Sequence, residues 1–157
     1  MTTYTARPIT PVILKELRVA DDAGRGMDSV TDEEGGAPLR CCLRRSVPGE
    51  LIALVSYAPL RRWASETGAE PGAYDEQGPV FIHAEECAGP DGPDGYPFAN
   101  AHRTLRRYSA DGRILGGRLV DAPDDAAFRN AFDDPAVALV HVRAVEYGCF
   151  LYEVRRG

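Results

Sequence analysis

The chain has 157 residues, 44% of them hydrophobic and 27% charged, the size and balance of one ordinary globular domain with one core rather than of a disordered chain. Its formal net charge of -6 excludes a nucleic-acid backbone or an anionic membrane surface as the main partner, because both require a basic footprint. No apolar run reaches the 18 residues that would suggest a spanning helix.

In chain order, the start MTTYTARPITPVILKELRV lacks a basic region followed by a long apolar run and a small-residue cleavage site, so no secretory signal is expected and a cytoplasmic location is. There Cys41, Cys42, Cys87 and Cys149 are expected to be thiols. A short helix is predicted within 10–27. Residues 21–37 carry Asp21, Asp22, Asp28, Asp32, Glu33 and Glu34 against Arg25 alone and read as an acidic loop of an N-terminal segment, 1–37, ahead of a sheet core over 38–157.

LRCCLRR (39–45) and LIALVSY (51–57) flank Val47-Pro48-Gly49-Glu50, a turn sequence, and predict a hairpin whose second strand is covered on both faces. On a strand, adjacent Cys41 and Cys42 point to opposite faces and cannot both join one cluster. Residues 64–79 read as a loop, with Trp63 placed in the core by default. GPVFIHAEEC (78–87) predicts a strand with Phe81, His83, Glu85 and Cys87 on one face and Val80, Ile82 and Ala84 on the other. The stretch AGPDGPDGYPFAN (88–100) is a long loop, expected to fold over that strand as a lid.

Residues 103–109 and 113–120 predict a hairpin around Ala110-Asp111-Gly112. A helix is predicted over 123–133, with Asp121 or Asp124 as its cap, Pro123 in its first turn and Asp134-Pro135 as its stop; Phe128 and Phe132 share its core face. A last hairpin joins 137–145 to 149–155 through Tyr147-Gly148. Together these elements predict an α+β domain: a mainly antiparallel sheet built from hairpins, with one or two helices packed on it.

Val137, Leu139, His141 and Arg143 share one strand parity and repeat the logic of the histidine strand. If the two strands pair with those faces aligned, His83, Glu85, His141 and Arg143 meet in one pocket. His83 and Glu85 are then the candidate catalytic pair. His141 and Arg143, with a ledge of Arg106, Arg107 and Tyr108, are the candidate ligand-binding residues. Such a pocket is expected to bind a small anionic or polar metabolite, with its turnover as the further reading. The competing reading is a non-catalytic structural or protein-interaction domain, with the same residues forming a surface ion-pair network.

No metal is assigned. Zinc held by His83 and Cys87 with Cys149 or His141 is a minor alternative, since the spacing matches no ligand signature. His83-Ala84-Glu85 matches the H-x-E of zinc deaminases but no P-C-x-x-C follows, so that reading fails. Serine-hydrolase, P-loop and dinucleotide fingerprints are lacking. Neither a reaction nor an oligomeric state is legible.

The order of Arg40 to Leu43 then Pro48 to Glu50, an apolar strand ending in Ser56-Tyr57, GPVFIHAEEC, Arg107-Tyr108 before Ala110-Asp111-Gly112, and Val140-His141-Val142-Arg143 with Gly148-Cys149 resembles the bacterial domain-of-unknown-function family 1203 over about residues 35–155. The pattern departs at Leu39, where the family implies a cysteine, and this weighs against a thiol-pair function in the first hairpin. The resemblance implies a small, single-domain, cytoplasmic bacterial protein with no assigned reaction.

Overall fold

The structure is a computed structural model that describes residues 2–91 and 95–156. Among these residues three α-helices and two antiparallel sheets, of three and four strands, make it an α+β protein. None of the helices among the described residues is long and apolar enough to cross a membrane. The chain divides into two compact units, one made of Pro8–Tyr57 with Gln77–Pro93, the other of Met1–Arg7, Ala58–Glu76 and Asp94–Gly157.

The first unit holds α1 (Pro11–Leu17) and the sheet β1-β2-β3, in which β2 (Glu50–Tyr57) lies between β1 (Ser29–Asp32) and β3 (Gly78–His83). Pro11 opens α1, where the missing N–H costs nothing, and Leu14 and Leu17 are its buried residues. β2 is the central strand, as its apolar run predicts, with Ile52, Ala53 and Val55 buried and Leu54 exposed. Its partner in the sequence reading is wrong, however. Residues 39–45 form no strand, and β1 comes from the acidic segment read as loop. Strand pairing at 39–45 would bury alternate residues, whereas Leu39, Arg40, Cys41, Cys42 and Leu43 are all buried. An α-turn closed by Leu43 N–H on Leu39 C=O (2.9 Å) accommodates that run, and Leu43 leaves it with φ +57°.

The second unit holds α2 (Pro59–Thr67), α3 (Asp125–Ala131) and the sheet β5-β4-β6-β7, from β4 (Arg103–Ser109), β5 (Ile114–Val120), β6 (Val137–Ala144) and β7 (Phe150–Arg155). Both hairpins predicted here are present. The helix predicted over 123–133 is also present, with Asp124 accepting the Ala127 N–H at 2.8 Å as its N-cap. Asp124→Ala should therefore cost about 1 kcal/mol, read as a lower urea midpoint at unchanged slope. Helix α2 overlaps a stretch expected to be loop. Its signals were Pro59 at the start and Gly68 in the left-handed conformation at the end. Trp63 packs with Leu60, Tyr108 and Leu139 in the core. Gly112, at φ +84°, lies so close to Pro71 and Trp63 that an added Cβ would meet a Pro71 atom at 3.0 Å.

A candidate metal centre at the end of β3

Among the described residues the one strand paired with β3 is β2, with a single parallel bridge from Leu39 to Phe81 on its other side, and β6 lies between β4 and β7. The expected pairing of the histidine strand with 137–146 does not occur, so strand pairing does not bring His83 and Glu85 to His141 and Arg143. β3 also ends earlier than predicted. The Arg18 guanidinium, just past α1, donates to the backbone carbonyls of His83 (3.2 Å) and Glu85 (2.8 Å) and holds the chain as it turns out of the sheet. Glu85 is exposed, and Cys87 returns toward His83 off the strand.

Around His83 the unit assembles a cluster that alternation would forbid. The α-turn at 39–43 spaces successive side chains about 100° apart instead of 180°, so Cys41 and Cys42 face the same imidazole. Their Sγ atoms lie 3.3 and 3.9 Å from His83 Nδ1 and 4.0 Å from each other. With Cys87, these four donor atoms fall within 4.8 Å of one another. A tetrahedral zinc with Zn–S of about 2.3 Å and Zn–N of about 2.0–2.1 Å needs S···S edges of about 3.8 Å and S···N edges of about 3.6 Å. The observed spacing brackets those edges. Backbone pairing fixes the turn: Arg40 N–H donates to Phe81 C=O at 2.9 Å, and His83 N–H points at Cys41 Sγ at 3.3 Å.

On the far side of the imidazole, His83 Nε2 lies 2.7 Å from Glu50 Oε2. Arg44 grips the same carboxylate through both terminal nitrogens, at 3.1 and 2.9 Å. Chiefly through that fork, and through the Val47 N–H, Glu50 is held down to about 2, ionised at neutral pH. An ionised carboxylate only accepts, so Nε2 carries a proton toward Glu50, and Nδ1 is the ring nitrogen that faces the sulfurs. The Arg44 contact to Nε2, at 3.4 Å, is the weaker one and does not change that assignment. A metal-binding histidine whose other nitrogen donates to a carboxylate has its ring and tautomer fixed in advance. Cys42 is pulled below the usual thiol range by the Cys41 S–H that points to it, while Cys41 is pushed up by giving that hydrogen bond and by burial.

A cavity of about 310 Å³ opens beside the cluster, lined by Arg44, Glu50, His83, Glu85, Glu86 and Cys87 among others. Of the zinc set expected from sequence, His83 and Cys87 meet, whereas Cys149 and His141 lie in the other unit. Cys41, Cys42, Glu50 and Arg44 were missed, because the first two were assigned to a strand and the last two carry no motif. Arg107 and Tyr108 do not form one ledge. Tyr108 is buried in the core, and Arg107 lines a separate cavity of about 380 Å³ with Arg118 and Asn130. Gly92, Pro93 and Asp94 of the expected lid lie outside the described residues.

The description "Protein of unknown function (DUF1203)" matches residues 36–156. The chain belongs to this family. No curated protein and no solved structure matches it. The DUF1203 match spans all four donors of the cluster and both residues behind His83, and it carries no activity with it.

Proposed function

We propose that this chain is a metal-binding domain that takes a thiophilic divalent cation, zinc first among them, on Cys41, Cys42, His83 and Cys87. The observation that carries the reading is the junction of four soft donors within 4.8 Å with a histidine whose outer nitrogen is already committed to Glu50. Three thiols and one imidazole form a closed donor set. That composition belongs to structural centres, whereas hydrolytic ones keep a position for water. The metal would tie the 39–43 turn and the chain after β3 to the end of the sheet. Because Cys87 and His83 also line the cavity, a small polar molecule beside the centre is the second reading, favoured by Arg44, Glu85 and Glu86 on its walls.

The test is metal content of protein purified without a histidine tag, followed by cobalt(II) titration of the metal-free form. One equivalent of zinc, with thiolate-to-cobalt absorption saturating at one equivalent and lost in His83→Ala, is the expected result. Less than a tenth of an equivalent of metal, with no thiolate-to-cobalt band, would remove the proposal.

A further inference from the structure

In the four-stranded sheet, β4 and β6 pair so that Arg106 stands opposite His141 and Thr104 opposite Arg143. Residues two apart share a face, so Arg106 and Tyr108 on β4 and His141 and Arg143 on β6 lie on the same side. There the two guanidiniums converge on one atom. Arg143 Nη1 donates to Glu76 Oε1 at 3.3 Å, and Arg106 Nη1 donates to the same oxygen. Arg106 Nη1 also reaches the Tyr108 hydroxyl at 3.3 Å.

Charge does not balance in this cluster. Two cations share a single carboxylate, and the Arg143 side chain is 15% exposed and that of Arg106 27%. Burial and the neighbouring Arg106 charge push Arg143 below the usual guanidinium range, whereas Tyr108 and Glu76 hold Arg106 above it against burial. Beside them His141 is fully buried with neither ring nitrogen hydrogen-bonded, and both arginines help keep it neutral. The next carboxylate, Glu153, is taken by Arg155 at 2.9 Å and Arg7 at 3.6 Å. Glu76 itself is 47% exposed and follows a short turn at Gly72–Tyr74.

We infer that Arg106 and Arg143 form a binding site for a small dianionic oxyanion, with Glu76 as a built-in competitor on the same nitrogens. Two planar forks offer several N–H donors to one carboxylate oxygen, which leaves donors for the further oxygens of a phosphate or dicarboxylate. A dianion matches the two positive charges where Glu76 leaves one over. The Tyr108 hydroxyl adds a neutral hydrogen-bonding group at the edge of the site. The inference is independent of the metal centre, because all its residues belong to the other unit.

Calorimetric titration at fixed ionic strength, with inorganic phosphate in one series and succinate in another, tests it on the full chain. Glu76→Gln keeps the side-chain shape and removes the competing charge. It should bind one of the two dianions at least ten-fold more tightly than the wild type, and Arg143→Gln should lose that binding. Phosphate preferred over succinate assigns a phosphate-bearing ligand, and the reverse order assigns a dicarboxylate. Equal affinity for both in wild type, Glu76→Gln and Arg143→Gln, or no heat in Glu76→Gln, would overturn the site and leave Glu76 as an ordinary ion-pair partner. Should Glu76→Gln fail to fold, saturable thermal stabilisation of the wild type by either dianion must vanish in Arg106→Gln; stabilisation that persists there, or is not seen at all, also overturns it.

Discussion

Cys42→Ser should abolish zinc-dependent stabilisation of the protein. A ligand that binds only the folded chain adds about 2.7 kcal/mol when present at 100 times its dissociation constant, roughly 5–10 °C of melting temperature for a chain of this length. Serine is nearly isosteric, but its hydroxyl stays protonated at neutral pH and is a poor partner for a soft cation. The variant removes the thiol toward which Cys41 points its S–H. Without zinc, the melting curves of wild type and Cys42→Ser should nearly coincide; with zinc, only the wild type should move. Glu50→Gln gives an intermediate result. It leaves all four donors in place, removes the anionic acceptor of the His83 Nε2–H, and should weaken zinc by 10–100-fold, the usual effect of losing such a partner. Thermal scans across a zinc series, with a chelator blank, check all three proteins. Equal zinc shifts in wild type and Cys42→Ser would mean that the metal sits elsewhere.

The same residues explain which parts of the structure the sequence discloses. The hairpins at 103–120 and 137–155 and the helix at 125–131 announce themselves through local chemistry: alternation, a glycine at the turn and an aspartate cap. The 39–45 stretch misleads because its alternation is imitated. Arginines bracket an apolar run of three, Cys41 to Leu43, and the choice between strand and turn is made by distant contacts, the Arg40 N–H on Phe81 C=O and the Ile9 N–H on Arg40 C=O. That single error hides the cluster, since a strand separates Cys41 from Cys42 and a helical turn joins them. His83 and Cys87 were visible as chemistry-bearing residues, but their partners lie about forty positions earlier, and no spacing rule spans that distance. Arg143 was expected to share a pocket with His83 and Glu85; the carboxylate it meets is Glu76 instead. The decisive quantity there is sheet membership, fixed by which strands pair and not by the parity of either strand.

His141 should make the protein lose stability on acidification faster than its carboxylates alone would. The imidazole is 1% exposed, lies between the Tyr108 and Phe150 rings with centroids at 4.7 and 5.0 Å, and has no hydrogen bond at either nitrogen. Burial, then Arg143 and Arg106, hold it well below the ordinary histidine range. Glu153 Oε2 stands 4.0 Å from Nε2, too far for a hydrogen bond, and that carboxylate is already held by Arg155 at 2.9 Å and Arg7 at 3.6 Å. The folded state therefore keeps His141 neutral while the unfolded chain protonates it near pH 6.5. Below that value the unfolded state binds the extra proton, and stability falls with pH by up to about 1.4 kcal/mol per unit, about 2.7 kcal/mol over two units, until the folded-state value is reached. His141→Leu, of similar volume and with no polar atoms to leave unpaired, should remove that component and match or exceed the wild type at pH 7. Urea midpoints of both proteins from pH 4.5 to 7.5 decide it. The difference between them should grow as pH falls through 6.5, and parallel curves would show that His141 finds a partner in solution.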